Sequence, residues 1–152
     1  MKKLFSDYLK AKNLRCTTER NAIFAKVCMT NEPFALDTIW QQLEDENFHV
    51  SRASVYNTME LLLDANIIVR HQFACSIIKY ELKCISDGHI YLICNECGAV
   101  RKVRDEKLTK YFTGYKIPKF TTEYYSLYFN GICSKCKYRL ANKELKRKKI
   151  KQ

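Results

Sequence analysis

Cys94-Asn95-Glu96-Cys97-Gly98 and Cys133-Ser134-Lys135-Cys136 are two Cys-x-x-Cys clips, and their reading decides how the second half of the chain folds. Each clip curls the backbone so that two thiolates can share one edge of a metal ion. Two clips one small substructure apart match the ligand spacing of a tetrahedral structural zinc site. Gly98 stands where such a turn often needs positive φ, which glycine adopts cheaply. Two disulfides or unrelated buried thiols are the alternatives. Disulfides persist in oxidising compartments, but Met1-Lys2-Lys3-Leu4-Phe5-Ser6 meets Asp7 and Lys10 before any apolar stretch of the signal-peptide kind develops. No apolar run is long enough to span a bilayer. The expectation is a soluble, cytoplasmic protein with no membrane partner, whose cysteines are zinc ligands and reduced thiols, with one zinc per chain.

Around the clips, 152 residues of which 47% are hydrophobic suit one compact domain or two small ones and exclude a disordered chain. The net charge is +11, from 27 Lys and Arg against 16 Asp and Glu. It is unevenly spread: Lys137 to Gln152 holds eight basic residues and one acidic residue. This tail reads either as a solvated helix end or as a non-specific nucleic-acid contact.

Upstream of the clips the pattern is helical. Leu4, Phe5, Tyr8 and Leu9 mark a first helix ending near Asn13, and Thr17 or Thr18 caps a second that runs to Met29. Asn31-Glu32-Pro33 is a break, after which Leu36, Ile39, Trp40 and Leu43 predict a third helix ending around Asn47. Ser51 caps a fourth, in which Val55, Thr58, Met59 and Leu62 share one inward arc while Tyr56 and Asn57 lie on the adjacent one. Ile67 to Phe73 and Ile77 to Leu82 are β-rich runs joined by Ala74-Cys75-Ser76. Helices followed by such a pair predict a winged helix-turn-helix. From Ser86 the periodicity changes: a strand from His89 to Ile93, the first clip, a strand from Ala99 to Val103, a helix from Asp105 to Tyr111, a break at Pro118 and an aromatic strand from Thr122 to Asn130. The fold class is α+β, with a winged-helix domain over 1–83, a small α/β domain with a four-cysteine site over 84–138 and a basic tail over 139–152.

Several motifs in this order resemble the ferric uptake regulator (Fur) family of bacterial metalloregulatory repressors. Thr17 to Ile23 is similar to the family's second-helix opening, and Val50-Ser51-Arg52-Ala53-Ser54-Val55-Tyr56-Asn57-Thr58-Met59 to its recognition helix. His89 to Gly98 is similar to the strand entering its zinc knuckle, and Ser126-Leu127-Tyr128 precedes the second clip as in the family. The resemblance implies a winged-helix DNA-binding domain, an α/β dimerisation domain, a structural zinc on Cys94, Cys97, Cys133 and Cys136, and a homodimer on a pseudo-palindromic operator in double-stranded DNA. The expected DNA contacts are Arg15, Ser51, Arg52, Ser54, Tyr56 and Asn57. The tyrosine matching Tyr56 contacts base edges in the family, and the residue matching Arg15 reaches the minor groove. Asn57 stands where the family commonly has arginine, and an amide suits adenine N6 and N7 better than guanine, so an A·T-leaning half-site is expected there.

The family's regulatory site uses imidazole and carboxylate ligands suited to Fe(II), Mn(II) or Zn(II). Here Gly88-His89-Ile90-Tyr91 stands in place of a His-His-Asp-His run, Pro33 lies near the position of another histidine, and Tyr125 replaces a further one. Glu81 and His89 alone survive as a residual effector site. Two ligands are too few for tight, selective binding, so weak or absent regulatory Fe(II) or Mn(II) is expected. His49 and His71 are weaker candidates still. Cys84, with His89, has donor types compatible with haem iron, Cys75 reads as an exposed wing thiol open to redox chemistry, and Cys28 reads as core. The leading function is a non-catalytic, sequence-specific transcriptional regulator, expected to repress, with haem or redox as candidate altered effectors. A zinc-stabilised RNA-binding or ribosome-associated module is the alternative. An enzyme is disfavoured, because four cysteines close a zinc tetrahedron and no nucleophile, base and orienter set is present.

Overall fold

The computed structural model describes residues 1–73, 77–86, 88–122 and 124–150, with side chains of 77 and 144–150 excepted. Ser51 shows how local chemistry starts these elements. Its hydroxyl accepts from Ser54 N at 3.0 Å and so opens helix α4, Arg52–Asp64. Thr17 does the same for α2, Thr18–Met29, accepting from Arg20 N at 3.3 Å. With α1, Lys2–Ala11, and α3, Leu36–Asp45, these helices belong to one compact unit, Met1–Gln72 with Ser76–Ser86. The second unit is Phe73–Cys75 with Asp87–Gln152.

Three helices of the first unit end on one device, whereas α2 ends on an extended Thr30. Asn13, Asn47 and Asn66 adopt φ of 55, 56 and 58° just past α1, α3 and α4. Behind each asparagine an apolar residue folds back: Leu14 N donates to Leu9 O at 2.8 Å, Phe48 N to Leu43 O at 2.9 Å, and Ile67 N to Leu62 O at 3.0 Å. These are Schellman closures with asparagine in the left-handed position. They turn the chain sharply and plug Leu9, Leu43 and Leu62 into the core, where each is no more than 2% exposed.

That core also holds Phe5, Ile23, Val27, Ile39, Val55 and Met59, with the Phe5 and Phe24 rings stacked at 5.1 Å. Each such side chain contributes about 1.5–3 kcal/mol through burial. Strands β1, Ile68–Phe73, and β2, Ile77–Leu82, form a two-stranded sheet, and the short α5, Lys83–Ser86, follows. Phe34 bridges to Tyr80 through two backbone hydrogen bonds of 2.9 and 2.8 Å, tying the link after α2 to β2.

In the second unit, β3, His89–Cys94, is the middle strand of three. It pairs antiparallel with β4, Val100–Arg104, from His89↔Arg104 to Ile93↔Val100, and parallel with β5, Leu127–Gly131, from Ile90↔Leu127 to Cys94↔Gly131. Asp105 caps α6, Glu106–Gly114, by accepting from Lys107 N and Leu108 N at 2.9 and 3.0 Å. Helix α7, Ser134–Ile150, starts inside the second cysteine pair and runs on through most of the basic stretch. Phe73, Tyr91 and Ile93 form a small core with Val100 against them. A core of this size calls for a further staple.

Two expectations need correction. The predicted strand from Thr122 begins only at Leu127, where pairing with β3 starts at Ile90↔Leu127; among the described residues none from 122 to 126 is in a strand. The predicted helix ending at Tyr111 continues to Gly114, helped by Tyr111 stacking on Tyr115 at 5.9 Å one turn on. No helix among the described residues is long and apolar enough to cross a membrane.

Candidate functional site

Parallel pairing of β3 with β5 sets Cys94 opposite Gly131, so the two clips leave the sheet side by side. Asn95 N donates to Gly131 O at 2.8 Å, fixing one clip on the other. Inside the first clip Gly98 N closes the turn on Cys94 O at 2.8 Å with Gly98 at φ +69°, the conformation expected of it. The second clip is the start of α7, and Lys137 N donates to Cys133 O at 2.9 Å. The four Sγ atoms of Cys94, Cys97, Cys133 and Cys136 all lie within 4.8 Å of one another. They are the one group of three or more metal-ligating side chains so assembled among the described residues.

The geometry suits zinc. A tetrahedron with Zn–S of about 2.3 Å separates its sulfurs by about 3.8 Å, and Cys97 Sγ lies 3.9 Å from Cys133 Sγ. The donor chemistry agrees. Cys133 N–H donates to Cys94 Sγ at 3.3 Å and, with further backbone N–H groups of the clip working against burial, lowers that thiol from 9.0 to about 6. Cys136 is pushed the other way, up to about 12, by burial first and then by its neighbouring cysteines. Backbone N–H groups thus favour the Cys94 thiolate while burial and crowding disfavour that of Cys136, and a shared cation would favour ionisation of both. Arg139 Nη2 points to Cys136 Sγ at 3.6 Å and offsets the negative charge of a four-thiolate centre. Four sulfurs leave no coordination position for substrate. The four-cysteine cluster fits a structural zinc site.

A second candidate lies on α4. Val55, Thr58, Met59 and Leu62 are buried, and Thr58 Oγ1 donates to Ser54 O at 2.8 Å, so the helix is held along its inner face. Tyr56 is 52% exposed and Asn57 is exposed beside it. Arg52 is engaged rather than loose: its Cζ lies 4.5 Å from the centroid of the Trp40 ring, a cation–π contact, and its Nη1 is 3.3 Å from Asp37 Oδ1. Trp40 is itself anchored by Nε1 donating to Val50 O at 3.0 Å. A guanidinium held over an aromatic face by cation–π attraction keeps in-plane N–H donors for further acceptors. Ser51 spends its hydroxyl on the cap and on Ser54 Oγ at 3.0 Å. Arg15 is exposed, with its carbonyl held by Arg20 Nη1.

The residual effector residues are placed differently from one another. Glu81 is completely buried in the first unit, with Oε2 3.2 Å from Nε2 of an equally buried His71, which lies 3.4 Å from Ser86 Oγ. His71 is the partner that the sequence reading missed; its inward place in the alternation of β1, between exposed Arg70 and Gln72, was the available signal. His89 is half-buried at the start of β3 in the second unit. Cys84 is an exposed free thiol on α5, and Cys28 is half-buried against the first unit's core with its thiol raised by burial. Cys75 lies outside the described residues.

A family model described as "Ferric uptake regulator family" matches residues 11–129. The "Ferric uptake regulation protein" of Bacillus subtilis (strain 168) is 26% identical over 133 residues, covering 84% of this chain and 89% of that protein. A "Peroxide-responsive repressor PerR" of Staphylococcus aureus (strain Mu50 / ATCC 700699) is 22% identical over 134 residues, covering 84% and 86%. Among solved structures, the ferric uptake regulator of Vibrio cholerae superposes with a TM-score of 0.59 at 25% identity, covering 82% of this chain and 96% of that one. The regulator of Pseudomonas aeruginosa with manganese gives 0.63 at 20% identity with the same coverage, a likeness of fold.

Proposed function

This chain belongs to the ferric uptake regulator family, and from that premise we propose that it is a sequence-specific DNA-binding repressor working as a homodimer on a pseudo-palindromic operator. In this reading residues 1–83 read DNA, residues 84–138 form the dimerisation domain around a structural zinc, and the basic tail over 139–152 adds charge. The observation that carries it is the construction of α4, a helix locked by four buried residues on one face and offering Tyr56 and Asn57 on the other. Tyr56 meets a thymine methyl, Asn57 pairs with adenine N6 and N7, and Arg52 and Arg15 contact phosphate and minor groove. Two-fold symmetry repeats this readout at a second half-site.

Cys94, Cys97, Cys133 and Cys136 would hold the zinc, which supplies a cross-link rather than chemistry. No catalytic role is proposed. Glu81, paired with His71 inside the first unit, is occupied by protein contacts, which supports weak or absent regulatory Fe(II) or Mn(II) binding through it. The test is operator selection from random DNA by the zinc-loaded full chain, with and without Fe(II), Mn(II), haem and peroxide. An A·T pair opposite Asn57, lost in Asn57→Ala, is the expected result. Selection of a required G·C pair there that Asn57→Ala leaves unchanged sinks the assignment, and preference for RNA over duplex DNA replaces the reading with an RNA-binding module.

A further inference from the structure

A half-open cavity of about 600 Å³ lies in the second unit, beside α6 and the segment that follows it. This is within the size range of small-molecule sites, about 300–1,000 Å³. Three positions draw its walls together. Gly88, at φ +79°, is packed so closely that an added Cβ would sit 3.0 Å from Thr109 Cγ2. Thr109 Oγ1, whose proton goes to Asp105 O at 2.7 Å, also lies 3.2 Å from Gly88 O, and Tyr125 Oη donates to Thr109 O at 3.4 Å. Gly88 and Tyr125 are two of the positions at which this sequence departs from histidine. The described lining residues include no His, Cys, Asp or Glu, so they offer a metal ion none of its usual ligands.

What the lining does offer is aromatic faces and positive charge. Phe112 packs on Tyr125 with centroids 5.5 Å apart, and Phe120 lines the same cavity while 65% exposed. Arg104 and Lys116 also line it, and neither has an ion-pair partner among the described residues. The described lining thus carries two cations and no acid, while its neighbours in sequence include one further cation, Lys119, and two acids, Asp87 and Glu123. Cations and π-faces lining one cavity suit a ligand with an anionic head and a flat unsaturated body: the head pairs with guanidinium and ammonium, and the body covers exposed rings. We propose that this cavity is a binding site for an aromatic organic anion, a carboxylate or sulfonate.

The test uses the zinc-loaded full chain and anilinonaphthalene sulfonate, whose fluorescence rises when its rings leave water. Saturable binding of one probe per chain is expected. Arg104→Glu should weaken it by about tenfold, the effect of one charge-assisted contact, and Thr109→Trp, which fills the cavity, should abolish it. Lys110→Glu, on α6 but outside the lining, should leave it unchanged. Arg104 is exposed, so its variant keeps the test valid even if Thr109→Trp fails to fold. Several probes per chain, or one site indifferent to Arg104→Glu, overturns the proposal. Binding to monomer that is lost on dimerisation also overturns it, because a second copy then fills the cavity.

Discussion

Glu81→Ala should cost the first unit far more stability than a surface carboxylate would. Glu81 and His71 are both 0% exposed, with 3.2 Å between Oε2 and Nε2. Deleting the carboxylate takes the 3.2 Å polar partner from a fully buried imidazole. Breaking a buried pair on one side costs about 3–5 kcal/mol, whereas an exposed pair such as Arg52–Asp37 is worth below about 1 kcal/mol. Against a typical domain stability of about 5–15 kcal/mol, the larger figure leaves a marginal fold. Trp40, the single tryptophan of the chain, lies in α3 of the same unit and reports its unfolding in urea by fluorescence. A cycle with His71→Leu should give a coupling of about 1–3 kcal/mol. If Glu81→Ala costs less than about 1 kcal/mol, or the two changes add within about 0.5 kcal/mol, the pair is not the structural element described. If Glu81→Ala instead abolishes tight Fe(II) or Mn(II) binding in isothermal titration with little loss of stability, Glu81 is a metal ligand after all.

Metal analysis should find one zinc per chain, and Cys133→Ser should lose it together with the dimer seen by light scattering; a zinc-free variant that remains dimeric would contradict the staple. In zinc-free chain the lowered Cys94 thiol, folded value about 6 against 9.0, contributes stability that is present above 9.0 and fades as pH falls through about 6. Melting of the zinc-free chain and of Cys94→Ser should therefore converge below that pH, and a gap that stays constant with pH would refute the shift. Asn47→Ala should destabilise by about 1–2 kcal/mol and Asn47→Gly by almost nothing, because only the former is strained at positive φ; equal urea midpoints for the two would exclude that cause.

Helix caps and the four-cysteine cluster were legible in the sequence, and contacts set by sheet pairing were not. Thr17 and Ser51 cap the helices they were expected to cap, and α1 and α3 end next to the asparagines that marked their limits. These signals act over one helical turn. The four cysteines converge as their spacing implied, because a metal site leaves ligand types at fixed intervals. His71 was passed over since its partner, ten residues away, is set by sheet pairing. Residues Thr122 to Ser126 looked like strand because their aromatic and β-branched content favours one, yet a strand needs a neighbour. The cavity beside α6 joins residues as far apart as Gly88 and Tyr125, and no local pattern announces such a meeting.

The parallel pairing of β3 with β5 has a consequence for when the zinc centre can form. Cys94 and Cys133 are 39 residues apart, and a parallel neighbour cannot be reached by a tight turn, so closing this loop must precede any gain from it. A chain leaving the ribosome exposes two thiols first and completes the set only when Cys136 emerges. All four sulfurs can therefore share one ion only after Cys136 has emerged, and the second unit gains that cross-link no earlier.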